Sequence, residues 1–349
     1  MNRSKQIVIT PYLSRKLQIL SLVAIAFVVL QHSSYGVSTN CISGLLYRDL
    51  ISLGFADFPV PYFFIVSGFF FMKRFSTSFS WYKAELAKRA KSLLLPYMVF
   101  CTLGLIVYRE YACRGLLDNY GITSLLPVVG PLWYVRTLFV LCVISPLLIL
   151  TVNLMERSKL LRTCVLIALP VMLAVRLPFQ SSIVAPLIYF TFGVFLFRHG
   201  ACLADIKPRS KIAVALSLAL ILTAIKTTHS IMNPESEPIL RKAIIPETLV
   251  VLWYGYDWAY GKFSWVKSII EKMPLILLKS TFFIYCTETF LRTFSNWAIL
   301  SPLGLNKSMR LPVGAIFMAF IVMLLGFALA QILNRLCPKL YATLSGGRG

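Results

Sequence analysis

The feature that most constrains the fold is a series of apolar segments, each long enough to cross or nearly cross a lipid bilayer. Ten such segments can be marked along the 349 residues: 17–35, 58–72, 92–109, 132–152, 163–179, 183–197, 212–229, 243–260, 274–292 and 311–334. Only 14% of the residues are charged, which is too few to cover the surface of a soluble protein of this length. A backbone in lipid must satisfy its own hydrogen bonds, so the pattern predicts an all-α, polytopic transmembrane helix bundle of about ten spans.

The distribution of basic residues predicts which ends of the segments face the cytoplasm. When residues at segment ends are counted with the adjoining loop, 24 of the 35 Lys and Arg residues fall on the side of the N-terminus and 8 on the opposite side. Three more lie within segments: Arg136, Arg176 and Lys226. Because basic loops stay in the cytoplasm, both termini are predicted to be cytoplasmic. Membrane topology thus accounts for the net charge of +22, and nucleic acid is not predicted as a partner.

The whole chain, residues 1–349, is predicted to form a single integral-membrane domain, since no stretch between apolar segments is long enough to fold separately. Residues 73–91 form the most basic stretch, a cytoplasmic segment in which Tyr82 to Lys91 has the pattern of a short amphipathic helix. Such a helix can anchor the protein to lipid headgroups or hold an anionic ligand. The eight cysteines are scattered, without a CxxC pair or a nearby His, so no metal site is predicted.

The first apolar segment ends in His32, which is the strongest candidate for a reactive group. The basic pair Arg15–Lys16 precedes the apolar run, and the imidazole closes it. Imidazole can accept and return a proton near neutral pH, and an ionisable group at membrane depth is a functional candidate. By position alone, His32 could equally lie at the level of the lipid headgroups and contact water.

Later segments also carry ionisable or small residues at membrane depth. Arg136 lies one turn into the fourth segment, and Glu288 lies in the middle of the ninth. The other ionisable groups at or near this depth are Arg176 and Asp257. In the second segment Ser67 and Gly68 interrupt an aromatic run, which allows either close helix packing or room for a thin ligand. An imidazole, a carboxylate and guanidinium groups could together deprotonate a hydroxyl and neutralise phosphate charge.

Six motifs, taken in their order and spacing, carry a family resemblance over nearly the whole chain. They are LVAIAFVVLQHS (22–33), FPVPYFFIVSGFFFMK (58–73), YKAELAKRAKSLLLPYMVF (82–100), GPLWYVRTLFVLCVISPLL (130–148), YFTFGVFLF (189–197) and STFFIYCTETFL (280–291). With them the chain resembles the membrane acyltransferase-3 family, the integral-membrane O-acyltransferases that modify bacterial surface glycans. The resemblance implies a multi-pass protein of the bacterial cytoplasmic (inner) membrane, with acyl-CoA, a glycan acceptor and the lipid bilayer as its partners.

The resemblance also implies a reaction and roles for individual residues. An acyl group, expected to be acetyl, passes from cytoplasmic acyl-CoA, a substrate rather than a bound cofactor, to a sugar hydroxyl of a surface polysaccharide or its lipid-linked precursor. The expected catalytic residues are His32, as general base, and Glu288, which orients or balances it. Substrate is expected to contact Ser67, Trp133, Tyr134, Arg136 and Tyr285. The CoA phosphates are expected to bind Arg15, Lys16, Arg89 and Lys91.

Two positions depart from the family pattern. Ser21 stands where many members carry Arg, eleven residues before the His, so the source of charge for the CoA phosphates is left open. Glu288 lies near a position where members often carry His. Two other functions also remain compatible with ten spans and buried charges: a transporter of glycans or small amphiphiles, and a non-catalytic envelope scaffold.

Overall fold

The computed structural model describes residues 9–34, 37–38, 41–48, 51, 55–107, 132–158, 184–199, 238–304 and 311–347, with scattered positions between 213 and 228. The α-helices are α1 (Pro11–Ser33), α2 (Ile42–Tyr47), α3 (Pro59–Lys73), α4 (Phe79–Arg89), α5 (Leu95–Val107), α6 (Trp133–Arg157), α7 (Ala185–His199), α8 (Pro238–Lys262), α9 (Ser264–Lys272), α10 (Leu275–Lys279), α11 (Thr281–Ser295), α12 (Pro312–Leu336) and α13 (Pro338–Leu344). A 3-10 turn covers Phe55–Asp57, and π-helical segments cover Ala90–Leu94 and Asn296–Leu300. The all-α prediction is confirmed for this part of the chain.

Four of the described helices are long and apolar enough to cross a membrane. They cover Pro11–Ser33, Phe55–Lys73, Trp133–Leu154 and Pro312–Leu336, and Ala185–Arg198 is a shorter apolar helix. Eight of the ten predicted segments coincide with helices, whereas 163–179, with Arg176, lies outside the described residues and 212–229 is described only in part. The chain is therefore a multi-pass membrane helix bundle, and the number of ten spans remains a prediction.

Helix α1 is central to the bundle and contacts α3, α11 and α12. It begins six residues before the predicted apolar segment, because Thr10 caps it by accepting a hydrogen bond from the Leu13 N–H and Pro11 occupies its first position. Its 23 residues span about 35 Å at 1.5 Å per residue. The helix therefore connects its basic end, at Arg15, to His32 in its last turn.

Helix α4 docks on α6 close to a proline inside that helix. Pro146 has no N–H to offer the carbonyl of Cys142, and the Ser145 hydroxyl bonds to that carbonyl instead, at 2.7 Å. One residue further on, the Val143 carbonyl accepts a hydrogen bond from the Tyr82 hydroxyl at 2.5 Å. A helix, α4, thus covers much of the predicted basic segment, and its hydrogen bond to α6 holds it against the bundle.

Helices α3 and α7 touch backbone to backbone, and two glycines make this possible. A Cβ added to Gly68 would overlap the carbonyl oxygen of Phe190, and one added to Gly193 would overlap the carbonyl oxygen of Ile65. Of the two interpretations of the Ser67–Gly68 pair, close packing therefore holds for Gly68.

We expect Gly68→Ala to destabilise the fold by about 2 kcal/mol or more, because a helix backbone cannot yield as a side chain can. Thermal unfolding in detergent measures the effect. Gly255→Ala in α8 is the matched control, since its added Cβ has no atom within 4 Å and alanine favours a helix. Equal unfolding temperatures for the two variants would contradict the close contact.

Candidate functional site

The imidazole of His32 lies within hydrogen-bonding distance of the carboxylate of Glu288. Nδ1 of His32 lies 2.5 Å from Oε2 of Glu288, although 256 positions separate the two residues in the sequence. The Glu288 side chain is 1% exposed and the His32 side chain 16% exposed. His32 is thus turned towards a buried carboxylate inside the bundle.

Glu288 is buried because α11 passes between three other helices. Its first two turns pack against α1, α5 and α12, and every residue from Thr281 to Glu288 is buried. A buried carboxylate needs partners, and Oε1 accepts a hydrogen bond from the Thr289 hydroxyl at 3.3 Å. The carboxylate is therefore held from both oxygens, with Oε2 on the imidazole.

Arg292 is a residue of this site that sequence reasoning did not select. Its Nη1 donates to the backbone carbonyl of His32 at 2.6 Å, and its Nε lies 3.8 Å from Oε1 of Glu288. Arg292 thereby joins the last turn of α1 to α11 and adds a positive charge beside the carboxylate. The Glu288–Arg292 spacing of four residues, one helical turn, was the signal that could have identified it.

A cavity of about 470 Å³ lies among α1, α3, α4, α6 and α11. Its lining consists of Ser21, Ile25, Phe63, Val66, Ser67, Phe70, Arg74, Lys88, Arg89, Ser92, Leu93, Tyr134, Leu138, Thr281, Phe282, Tyr285, Gly346 and Gly347. Phe63, Ser67, Phe70 and Arg74 share one face of α3 and its end, so the cavity extends about 16 Å along that helix. The walls of the cavity are therefore formed by one face of each of several apolar helices, and basic residues also line it.

The two ends of the cavity differ in chemistry. At one end, basic side chains follow α3 (Arg74) or belong to α4 (Lys88 and Arg89), and the Arg89 guanidinium is paired with the buried Glu85 carboxylate at 2.6 Å. The other end contains three predicted substrate-binding residues, Ser67, Tyr134 and Tyr285. The Ser67 and Tyr134 oxygens lie 3.5 Å apart, and the Tyr134 and Tyr285 rings meet edge to face with centroids 5.7 Å apart. A ligand with an anionic head and an uncharged, extended body matches this space.

The cavity approaches the His32–Glu288 pair from the side of Tyr285. Tyr285 lines the cavity, and Glu288 lies one turn further along α11. On α1 the lining residue nearest to His32 in sequence is Ile25, about 10 Å away along the axis. The imidazole and the carboxylate therefore lie outside the cavity lining, beyond its aromatic end and on the side away from the basic residues.

Comparison with models of protein families shows to which family the chain belongs. A family model described as an acyltransferase domain, that of acyltransferase 3, matches residues 16–335. The chain belongs to this family. The match confirms the resemblance seen in the sequence motifs and implies that this membrane acyltransferase is an enzyme with an acyl donor and an acceptor. No curated protein and no solved structure matches the chain.

Arg15 and Lys16 of this acyltransferase do not line the cavity. The Arg15 guanidinium donates to the carbonyls of Ile270 and Met273, at 2.5 and 2.6 Å, and so binds the end of α9. Arg15 therefore connects the basic end of α1 to α9, and Lys16 connects it to Asp257 of α8. Neither residue lines the cavity as Arg89 does.

The surroundings of Lys16 explain how an ammonium group is accommodated inside the bundle. Lys16 is 1% exposed, and its Nζ lies 2.8 Å from each carboxylate oxygen of Asp257. The same atom lies 3.8 Å from the centre of the Trp253 ring, a cation–π contact. Lys16 thus pairs with one of the ionisable groups that the sequence places near membrane depth.

Three other predicted binding residues also lie outside the cavity lining: Lys91, Trp133 and Arg136. Arg136 is 7% exposed in the first turn of α6. Lys91 is exposed in the π-helical segment after α4. The described part of this acyltransferase therefore brings together Ser67, Tyr134, Tyr285 and Arg89 around one cavity.

Proposed function

We propose that this protein transfers an acyl group, acetyl in the first instance, from cytoplasmic acyl-CoA to a sugar hydroxyl of a bacterial surface polysaccharide or its lipid-linked precursor. The observation that carries the proposal is the His32–Glu288 pair, which lies one turn of α11 beyond a cavity whose far end is basic. A base at one end and cations at the other match a donor with a thioester at one end and phosphates at the other.

In the proposed reaction His32 acts as the general base. The Glu288 carboxylate accepts a hydrogen bond from Nδ1–H, which makes Nε2 the basic nitrogen. Nε2 takes the proton of the sugar hydroxyl while its oxygen attacks the thioester carbonyl and forms a tetrahedral oxyanion. Collapse of this tetrahedral intermediate breaks the C–S bond, and the imidazolium gives its proton to the departing thiolate. The products are an ester on the sugar and free CoA thiol.

The buried carboxylate supports this step electrostatically. An imidazolium forming next to the Glu288 carboxylate is stabilised because little water screens the pair. Arg292 binds the backbone carbonyl of His32 and contacts the Glu288 carboxylate. It therefore helps to hold the His32 and Glu288 side chains in position relative to each other. We therefore assign Arg292 a positioning role in addition to the two expected catalytic residues.

The donor is proposed to lie along α3 with its phosphates at the basic end. Arg15 and Lys16 are engaged by α8 and α9, so Arg74 and Lys88 replace them in the proposal, together with Arg89. Among the described residues neither Arg74 nor Lys88 makes an ion pair, which leaves both charges available to a phosphate. Arg74 and Lys88 supply positive charge at the cavity, which Ser21 cannot do because its side chain is uncharged.

We expect Lys88→Ala to raise the KM for acetyl-CoA about tenfold with little change in kcat, because a charge-assisted contact to a phosphate is made equally in the bound and transition states. Initial rates in membranes measure both constants. Lys83→Ala is the matched control, since Lys83 lies on the same helix, over the Phe79 ring and outside the cavity. Equal KM values for the two variants would count against donor phosphates at this end.

The experiment that tests the function as a whole combines labelled acetyl-CoA with chemical analysis of the surface glycan. Membranes that contain the protein should transfer label to glycan, and cells without it should lose one O-acetyl substituent. Uptake of substrate without any change in O-acetylation would instead indicate transport. Absence of both label transfer and acyl-CoA binding would indicate a scaffold.

A further inference from the structure

The segment that follows the last long helix returns to the bundle and packs against α12 and α5. Tyr341 of α13 is fully buried, and its ring lies 5.5 Å from that of Phe283. Phe283 adjoins Phe282, which lines the cavity. Helix α13 is therefore held by α5, by α12 and by the Phe283 ring of α11, so packing fixes the position of its end next to the cavity.

Helix α13 ends in a tight turn that is specified by its own hydrogen bonds. The Gly347 N–H donates to the Ala342 carbonyl at 2.7 Å, and the Gly346 N–H donates to the Thr343 carbonyl at 3.1 Å. This pair of bonds is the Schellman arrangement, which needs a left-handed backbone after the helix. Gly346 and Gly347 have φ values of 67° and 75°, which glycine adopts without strain and Asn or Asp tolerates better than other residues.

The contacts of α13 place its turn towards the basic end of the cavity. Helix α13 packs against α5, which continues from α4 and the π-helical segment, and Gly346 and Gly347 line the cavity together with Arg74, Lys88 and Arg89. A Cβ added at Gly347 would meet no atom within 4 Å, so a side chain at this position has room to extend. Residue 347 is therefore a place where a charge can be introduced beside the cations without displacing the packed part of α13.

We propose that Gly346 and Gly347 of this turn form one wall of the site for the phosphates of the donor, and that the absence of a charged side chain at position 347 permits anionic donors to bind. This inference rests on the proposed function, since it takes a phosphorylated acyl thioester as the ligand. A carboxylate at position 347 would pair with the cations that the phosphates require and would repel the phosphates directly. An amide of the same shape would do neither.

The test compares Gly347→Asp with Gly347→Asn in the full chain. Both side chains have nearly the same volume, and both tolerate positive φ, so the pair isolates the charge. We expect Gly347→Asp to raise the KM for acetyl-CoA about fivefold over Gly347→Asn, with similar kcat, as one unit charge at close range would. Acetyl-pantetheine, which has no phosphate, should not distinguish the two variants, and their thermal unfolding should coincide.

Equal KM values of Gly347→Asp and Gly347→Asn for acetyl-CoA would overturn the inference, and so would the same difference with acetyl-pantetheine. The proposed function is tested separately by Lys88→Ala. If Lys88→Ala raises the KM and the two variants at position 347 do not differ, the proposed donor site is supported. The proposal that the turn forms one wall of that site is then wrong. If label is never transferred from acetyl-CoA, the proposed function itself fails.

Discussion

Replacement of His32 by alanine is expected to lower the rate of acyl transfer by about a hundred- to ten-thousand-fold, the range that general-base catalysis supplies. Without the imidazole the sugar hydroxyl must attack with its proton still bound. Because His32 acts in the reaction and not on the donor phosphates, kcat should fall while the binding of acetyl-CoA is retained. Transfer from labelled acetyl-CoA in membranes, with the donor dissociation constant measured on the purified protein, separates the two effects.

The control for His32→Ala is Ser33→Ala, one residue further along the same helical turn. The Ser33 hydroxyl donates to the Val29 carbonyl of its own helix, so its loss removes no contact between helices. Ser33→Ala should keep nearly full activity. Undiminished transfer in His32→Ala would remove this residue from the mechanism and, with it, the chemical step proposed for the protein.

The second large effect is expected for Glu288→Gln, which should lower kcat by about a hundredfold or more. Glutamine keeps the size of the side chain but not the charge that stabilises the imidazolium, and its amide N–H can hold the imidazole in the wrong tautomer. Acyl transfer by the purified protein measures the loss. Thr287→Val is the matched control, because among the described residues the Thr287 hydroxyl bonds only to carbonyls of its own helix, those of Phe283 and Ile284.

A double variant, His32→Ala with Glu288→Gln, distinguishes a shared mechanism from two separate effects. If Glu288 acts through the imidazole, the double variant should be no slower than His32→Ala alone, since residues that act as a unit are not additive. Multiplied losses in the double variant would show that Glu288 acts independently of His32. Full activity of Glu288→Gln would show that the carboxylate is dispensable.

Much of the fold was predictable because lipid imposes a simple rule on sequence. Apolar segments predicted helices at eight places where the structure has them, and the basic stretch 73–91 predicted α4. Helix boundaries were less accurate: α1 begins at Pro11 rather than at residue 17, because a capping threonine and a proline extend it beyond the apolar run. The candidate site was predicted in part, with Ser67, Tyr134 and Tyr285 indeed around one cavity.

By itself the sequence determined the class of the protein, most of its long helices and its membership of the acyltransferase 3 family, and it indicated His32 and Glu288 as candidate catalytic residues. Only the tertiary structure decided which side chains meet: His32 with Glu288, Arg15 and Lys16 with α8 and α9, and Arg74 and Lys88 with the cavity. The physical reason is that a helix in lipid is apolar on nearly all faces, so its periodicity does not indicate which face packs inward. That choice depends on close backbone contacts such as Gly68 with Phe190, and on buried polar pairs between residues far apart in the chain.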